Sequence, residues 1–269
     1  MMKVNKLKDK VAIVTGAAGG IGSEIAGLFD KDGALLVLAD INSDGLARLA
    51  SKLSKEPLLV QCDITDKESI KNLMESAVTK FGRVDILVNN AGIITPGLFE
   101  DSTYEDIERQ IDINLMGAIY CTREVIPLMK ASGRGNIVTI SSLAGIVPET
   151  YSAIYTATKY ALRGFDLTLR VELKKHNIYV STIFPDSVDT PMLKYEASHG
   201  GSPLTFLNLP VSPAVVAKAV CRAIIKRKIE LYVPYSQGLA SKIIICFPWI
   251  IPFLWPILEK KGAKKKKQF

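Results

Sequence analysis

Histidine and cysteine are scarce in this chain, with two histidines and four cysteines among 269 residues. Cys62, Cys121, Cys221 and Cys246 are widely spaced, with no CxxC and no nearby histidine pair, which predicts neither a disulfide framework nor a zinc site. The thiols read as reduced and mostly buried. His176 and His199 have no partner pattern, so neither is given a catalytic role and no metal is expected. Residues 1 to 10 are short and charged and lack the apolar stretch of a signal peptide, which predicts a catalytic domain facing a reducing cytosol. The sequence shows no internal repeat.

Acidic charge is scarce at the carboxyl end. The formal net charge is +7, but the stretch from Lys226 onward holds ten basic residues against Glu230 and Glu259, which leaves the rest of the chain close to neutral. The high isoelectric point therefore belongs to a tail, and no nucleic-acid partner is implied. A long hydrophobic run is also missing. The stretch without formal charge from Ile243 to Leu258 is sixteen residues and contains Pro248, Pro252 and Pro256. A spanning helix needs about 20 residues and an uninterrupted hydrogen-bond ladder.

Short apolar runs alternate with longer amphipathic ones. The predicted strands are 11–15, 34–39, 57–61, 84–88, 136–141, 178–184 and 230–233; the predicted helices are 20–31, 43–54, 66–81, 103–131, 151–175 and 213–227. That alternation predicts an α/β fold with a doubly wound parallel sheet, in one domain over residues 1–238. Gly200-Gly201-Ser202-Pro203 and Pro210 mark an irregular stretch that reads as a mobile lid over a cleft.

The first strand runs into Thr15-Gly16-Ala17-Ala18-Gly19-Gly20-Ile21-Gly22 before a predicted helix. Backbone amides there can approach a pyrophosphate at the positive end of the helix. Asp40 ends the second strand, where its carboxylate can accept hydrogen bonds from an adenosine ribose. No arginine or lysine occupies 16–24 or 41–43 to hold a ribose 2′-phosphate, so NAD is favoured over NADP. Tyr155 and Lys159 stand four residues apart on one helical face, thirteen and seventeen residues after Ser142. An ammonium beside a phenol lowers the cost of the ionised form, which suits proton exchange with an alcohol or a carbonyl. Asn114 interrupts a long helical pattern, where bending the helix or holding a water are its expected roles.

Thr15 to Gly22 as a TGxxxGIG run, Asn89-Asn90-Ala91-Gly92, and Tyr155-Thr156-Ala157-Thr158-Lys159 as a YxxxK run resemble, in order and spacing, the short-chain dehydrogenase/reductase family over residues 7 to 235. The likeness points to a hydroxysteroid- or lipid-alcohol-dehydrogenase-like member. It implies a catalytic tetrad of Asn114, Ser142, Tyr155 and Lys159. It further implies adenine contacts at Asp63 and Ile64, a cleft wall at Asn90, and nicotinamide contacts at Val188 and Thr190. Gly16, Gly20, Ile21, Gly22 and Asp40 complete the implied cofactor site. Ser141 rivals Ser142, but only Ser142 has the family's spacing to Tyr155. One departure is Pro185-Asp186, where the family has Pro-Gly; aspartate tolerates less backbone freedom than glycine.

Residues 239–269 hold both tryptophans and six lysines within the last ten positions. Aromatic rings favour a membrane interface and lysines favour anionic headgroups, which predicts attachment to a membrane surface from the cytoplasmic side. The alternative is a hydrophobic flap packed on the domain or on a sister subunit. Lys266-Lys267-Gln268-Phe269 resembles a dilysine retrieval signal, meaningful for the endoplasmic reticulum of a eukaryotic cell. Apolar residues expected around the cleft are Ile93, Ile94, Leu98, Leu143, Val147, Met192, Leu193, Phe206 and Leu207. Together these predict an NAD-dependent oxidoreductase acting on a lipophilic small molecule such as a steroid, retinoid or long-chain lipid, assembled as a homodimer or homotetramer. A ketoacyl reductase of lipid synthesis and a low-turnover membrane-bound scaffold are the rival readings.

Overall fold

The computed structural model describes residues 6–267; the carboxyl-terminal half of the dilysine-like pattern lies outside them. Seven strands form one parallel sheet: β1 Val11–Thr15, β2 Leu35–Asp40, β3 Leu58–Gln61, β4 Ile86–Asn89, β5 Gly135–Ile140, β6 Ile178–Pro185 and β7 Glu230–Val233. Their order is β3-β2-β1-β4-β5-β6-β7, so the winding reverses between β1 and β4 and opens a crevice at the carboxyl ends of those strands.

Successive strand residues face opposite sides of the sheet. Ala12, Val14, Leu36, Leu38, Val88 and Val138 pack on one side with Ile25 and Phe29 of α1 (Gly20–Lys31) and Val216 and Val220 of α8 (Pro213–Lys226). Ile13, Val37, Val60, Leu87 and Ile137 pack on the other with Leu73 of α3 (Lys67–Phe81) and Val125 of α5 (Gly117–Ala131). Both faces are covered, which explains the near-continuous apolar strands. Each fully buried Ile, Leu or Phe contributes roughly 1.5–3 kcal/mol.

Three features depart from the sequence reading. The helix expected over 103–131 is α4 (Tyr104–Ile111), a π-helical turn (Asp112–Met116) and α5. The stretch expected as an irregular lid contains α7 (Pro191–Ser198) and a 3₁₀ turn (Pro203–Phe206) whose Phe206 is buried. The tail beyond β7 forms α9 (Tyr235–Ile245), a 3₁₀ turn (Pro248–Ile250) and α10 (Ile251–Lys266). The division drawn at residue 238 falls inside α9, and Gly238 there lies flush against the Tyr232 ring of β7.

The tail is pinned to the domain. Trp255 is buried and its Nε1–H donates to Pro148 O at 2.9 Å; Thr150 donates to Glu259 at 2.6 Å. Gly262 leaves no room for a Cβ against the Pro203 carbonyl, so α10 sits directly on the 3₁₀ turn beneath it. Trp255 is therefore not available to a membrane. The opposite face remains open, with Trp249 and Phe253 68% and 74% exposed. No single helix among the described residues is long and apolar enough to cross a membrane; α9 and Pro248–Lys266 reach that composition only as a pair bent by 97°.

Candidate active site

The glycine run turns β1 into α1 at the bottom of the crevice. Gly16 takes φ +62°, a conformation that L side chains rarely adopt, and Gly22 packs against the Gly16 carbonyl. The amino end of α1 has no side-chain cap and no acidic residue in its first turn. By contrast, Asn42 caps α2 (Ser43–Ala50), Asp66 caps α3 and Thr103 caps α4. The orphan N–H groups of α1 and its dipole therefore stay free for an anion.

Side chains of neighbouring elements complete this cleft. Asn90 Nδ2 donates to Thr15 O and Gly16 O at 3.0 Å, fixing the loop after β4 to the glycine turn. Asp40 Oδ2 accepts from Ala18 N at 2.9 Å and Oδ1 from Asn42 N at 2.9 Å, so its carboxylate is held beside the same turn. The Asp63 Oδ1 accepts from both Thr65 N and Thr65 Oγ1. Ile64 is buried and its side chain abuts Gly117. Gly16, Gly20, Ile21, Asp40, Asp63, Ile64, Asn90 and Thr190 line one cleft of about 380 Å³. Gly22 shapes the turn without lining that cleft. Arg109 of α4 also lines it, a residue the sequence reading missed because it lies far along the chain from the glycine run.

The proton-handling groups sit where β5 meets α6 (Ala153–Leu173). Buried Asp166 accepts from Thr139 of β5 at 3.1 Å and Thr182 of β6 at 2.7 Å, anchoring α6 across the sheet. Lys159, 4% exposed, donates from Nζ to Ile140 O at 3.1 Å and lies 5.3 Å from the centroid of the Tyr155 ring. The Ser142 hydroxyl acts on the Tyr155 phenol, and the Ser142 Oγ accepts from Ala144 N at 3.1 Å. Its rival Ser141 is buried and donates to Lys159 O at 3.2 Å, so it braces the helix. Asn114, in the π turn, accepts from Ile93 N at 2.7 Å and donates to Ile93 O at 2.9 Å. A Cβ on Gly92 would stand 3.2 Å from Asn114 Oδ1 and 3.6 Å from Lys159 Nζ, so those two groups converge on one point.

The electrostatics correct one expectation. The Tyr155 phenol is pushed above its ordinary value, mainly by burial and then by the charges of Glu149 and Glu196; the Ser142 hydroxyl offsets part of this. Burial pulls Lys159 down to about 8. Burial works against both ionised forms, so the lone protein favours a protonated tyrosine over the phenolate that the spacing alone suggests.

A second chamber of about 250 Å³ adjoins the cleft, sharing Ile21, Asn90, Gly92, Thr190 and Met192 with it. Ser142, Tyr155, Lys159 and Val188 line this chamber. Its apolar wall includes the expected Ile94, Leu143, Val147, Met192, Leu193 and Leu207. Ile93 instead lines the first cleft, Leu98 is 49% exposed, and Phe206 is buried beside the Lys266 ammonium. Ile244 of α9 and Trp255 and Leu258 of α10 close the chamber, so the tail forms part of its wall. Asp186 keeps an ordinary negative φ, unlike the residues of left-handed conformation, and accepts from Asn208 Nδ2 at 3.0 Å. The replacement of glycine there is tolerated without strain. Glu149, Glu196 and Thr205 also face the chamber and were missed, because they come together only when α7 and the 3₁₀ turn fold back.

Comparison with known proteins agrees with this geometry. The family model described as short chain dehydrogenase matches residues 10–200. The trans-4-hydroxycyclohexanecarboxylate dehydrogenase of Sinomonas cyclohexanicum is 39% identical over 197 residues, covering 70% of this chain and 76% of the relative. Momilactone A synthase of Oryza sativa subsp. japonica is 38% identical over 192 residues, covering 70% of each. The crystal structure of 3-ketoacyl-(acyl-carrier-protein) reductase from Brucella melitensis complexed with NADH superposes with a TM-score of 0.77 at 30% identity, covering 84% of this chain and 97% of that one. With its glycine turn, Ser142, Tyr155 and Lys159 arranged around one crevice, the chain belongs to the short-chain dehydrogenase family of oxidoreductases.

Proposed function

We propose that this protein is an NAD-dependent oxidoreductase that interconverts a secondary alcohol and a ketone on a lipophilic molecule of the steroid, retinoid or long-chain lipid class. The observation that carries this reading is the junction of two chambers, one floored by the glycine turn, the other with Tyr155 in its wall, both lined mainly by apolar surface. The uncapped amino end of α1 fits a pyrophosphate, and Asp40 fits the two ribose hydroxyls better than a ribose phosphate. The NADH in the Brucella relative supports a nicotinamide cofactor. Such a cofactor, when bound, supplies hydride transfer.

The chain's own residues would handle the proton. Ser142 holds the substrate oxygen beside the Tyr155 phenol, which gives a proton to a carbonyl or takes one from an alcohol. Lys159 places a positive charge beneath the ring and would hold the nicotinamide ribose; Asp63, Ile64, Asn90, Val188 and Thr190 would flank the cofactor. Asn114 fixes the Ile93 backbone at the same point. The raised phenol leaves Tyr155 protonated in the lone protein, the form that can give a proton to a carbonyl.

The tail exposes Ile243 of α9, Phe247 and Trp249 of the connection after it, and Phe253 and Ile257 of α10, followed by lysines, which supports contact with an anionic membrane surface. On α6, Leu167 and Val171 are exposed one turn apart and support a homodimer or homotetramer.

The test is NADH oxidation by the full-length protein against steroid ketones, retinal, long-chain ketones and an acetoacetyl thioester. Turnover of lipophilic ketones is expected. Preference for the thioester would favour the ketoacyl reductase, to which the Brucella relative lends weight, and NADH binding without any turnover would leave a scaffold.

A further inference from the structure

Within the largely apolar chamber, one group of carboxyls stands out. Thr205 Oγ1 lies 2.6 Å from Glu149 Oε1 and 2.6 Å from Glu196 Oε1. A hydroxyl has one hydrogen to donate, so the second short contact requires a carboxyl proton pointing back at Thr205. The pair then holds one proton and one negative charge. Neither glutamate has an ion-pair partner among the described residues. The cation that acts on Glu196 is Lys266, whose Nζ donates to Gly201 O at 2.6 Å. Asp186, on the same wall, is held by Asn208.

A separate feature of this wall points to a ligand. Ser187, only 9% exposed, lines the same chamber, and its Oγ has no hydrogen-bond partner among the described residues. A buried hydroxyl without a partner costs about 1–3 kcal/mol unless a bound molecule or water satisfies it.

We propose that Glu149 and Glu196 are specificity-determining residues that bind a primary ammonium carried by the lipophilic substrate, making the substrate class amino-ketones and amino-alcohols with a long apolar body. This rests on the oxidoreductase reading above. An ammonium has three donors and a full charge; it donates to lone pairs on both carboxyls and, with the shared proton retained, brings the net charge of the pair from −1 to zero. A hydroxyl brings no positive charge to the pair. Low-dielectric walls of Leu143, Val147, Leu193 and Leu207 strengthen the attraction and take the apolar body. Neutralising the pair also removes the negative field that lifts the Tyr155 phenol, so binding of the amine and readiness for proton exchange are linked.

The probe is octylammonium against 1-octanol, titrated calorimetrically into full-length protein saturated with NADH. Octylammonium is expected to bind at least about tenfold tighter than octanol. Glu149→Gln and Glu196→Gln, near-isosteric changes, should each reduce that ratio toward one, with unchanged NADH affinity showing that the variants fold. Equal affinity for amine and alcohol, absence of amine binding to protein that binds NADH, or an amine preference surviving in both variants overturns the proposal. The wild-type comparison stands even if a variant does not fold. Failure to bind NADH, or to reduce any ketone, strikes the oxidoreductase reading instead and is read in separate measurements.

Discussion

Tyr155 offers the sharpest test at the scale of single residues. Tyr155→Phe keeps the ring between Ser142 and Lys159 and removes only the hydroxyl, so turnover should fall by about 10² to 10⁴ while NADH affinity stays within a few-fold. Steady-state rates and a cofactor titration check this; near-normal turnover would take Tyr155 out of the mechanism. Asp40 also holds Ala18 N, so Asp40→Asn retains a side-chain acceptor and removes the charge. The ratio of NAD to NADP efficiency, expected to be at least about tenfold in the wild type, should shrink in that variant. Equal use of both cofactors by the wild type would refute the assignment. Lys159 links the site to stability. Its burial pulls it down to about 8, whereas unfolded lysine titrates near about 10.4. Between those values the unfolded chain binds a proton that the native state does not, so the burial cost is full below pH 8 and fades as the pH rises through the window. Lys159→Met removes that cost but also the hydrogen bond to Ile140 O. It should gain about 2 kcal/mol on the wild type at neutral pH and lose that margin by about pH 10.5. Urea denaturation of the cofactor-free proteins across pH decides it.

At the scale of elements, the decisive piece is α10. Its docking depends on the buried Trp255 and on Gly262 lying against Pro203. Trp255→Ala forfeits about 3 kcal/mol of packing, and Gly262→Val forces helix and turn apart. Both are expected to free α10 for limited proteolysis and weaken substrate binding, while NADH affinity stays unchanged because no α10 residue lines the cofactor cleft. Unaltered protease resistance and KM in both variants would show that α10 does not close the chamber. The π turn at Asp112–Met116 has a comparable local logic. It turns Asn114 toward Ile93, so the polar residue that weakens the helical pattern becomes the brace of the loop after β4.

For the whole molecule, the question is what the outer face of the tail meets. Trp249, Phe253 and Ile257 are exposed together on the side of the tail that does not pack on the domain. Replacing all three by glutamate should abolish flotation with vesicles containing anionic lipid. Neutralising Lys264, Lys265 and Lys267 should weaken flotation in a salt-sensitive way, since each lysine adds roughly 1 kcal/mol near an anionic surface. Ketone reduction in detergent should survive both changes. A wild type that does not float at low salt would leave this face to a protein partner.

Strand positions, the parallel winding and the grouping of Ser142, Tyr155 and Lys159 in one chamber were legible in the sequence because each rests on short-range periodicity or fixed spacing: apolar runs, a glycine turn and an i, i+4 pair. The sequence also placed Asp40 at the end of the second strand, and the family resemblance placed Asn90 at the cleft wall, which it lines. Only the tertiary structure decided the rest. Glu149 and Glu196 lie 47 positions apart and share Thr205 through a fold-back that leaves no local pattern. The raised Tyr155 phenol follows from burial and from those distant charges, neither visible in YxxxK spacing. Composition likewise gave the tail its apolar and basic character, but helix packing determined that Trp255 faces the chamber while Trp249 and Phe253 face outward, because burial depends on which side of α10 meets the 3₁₀ turn.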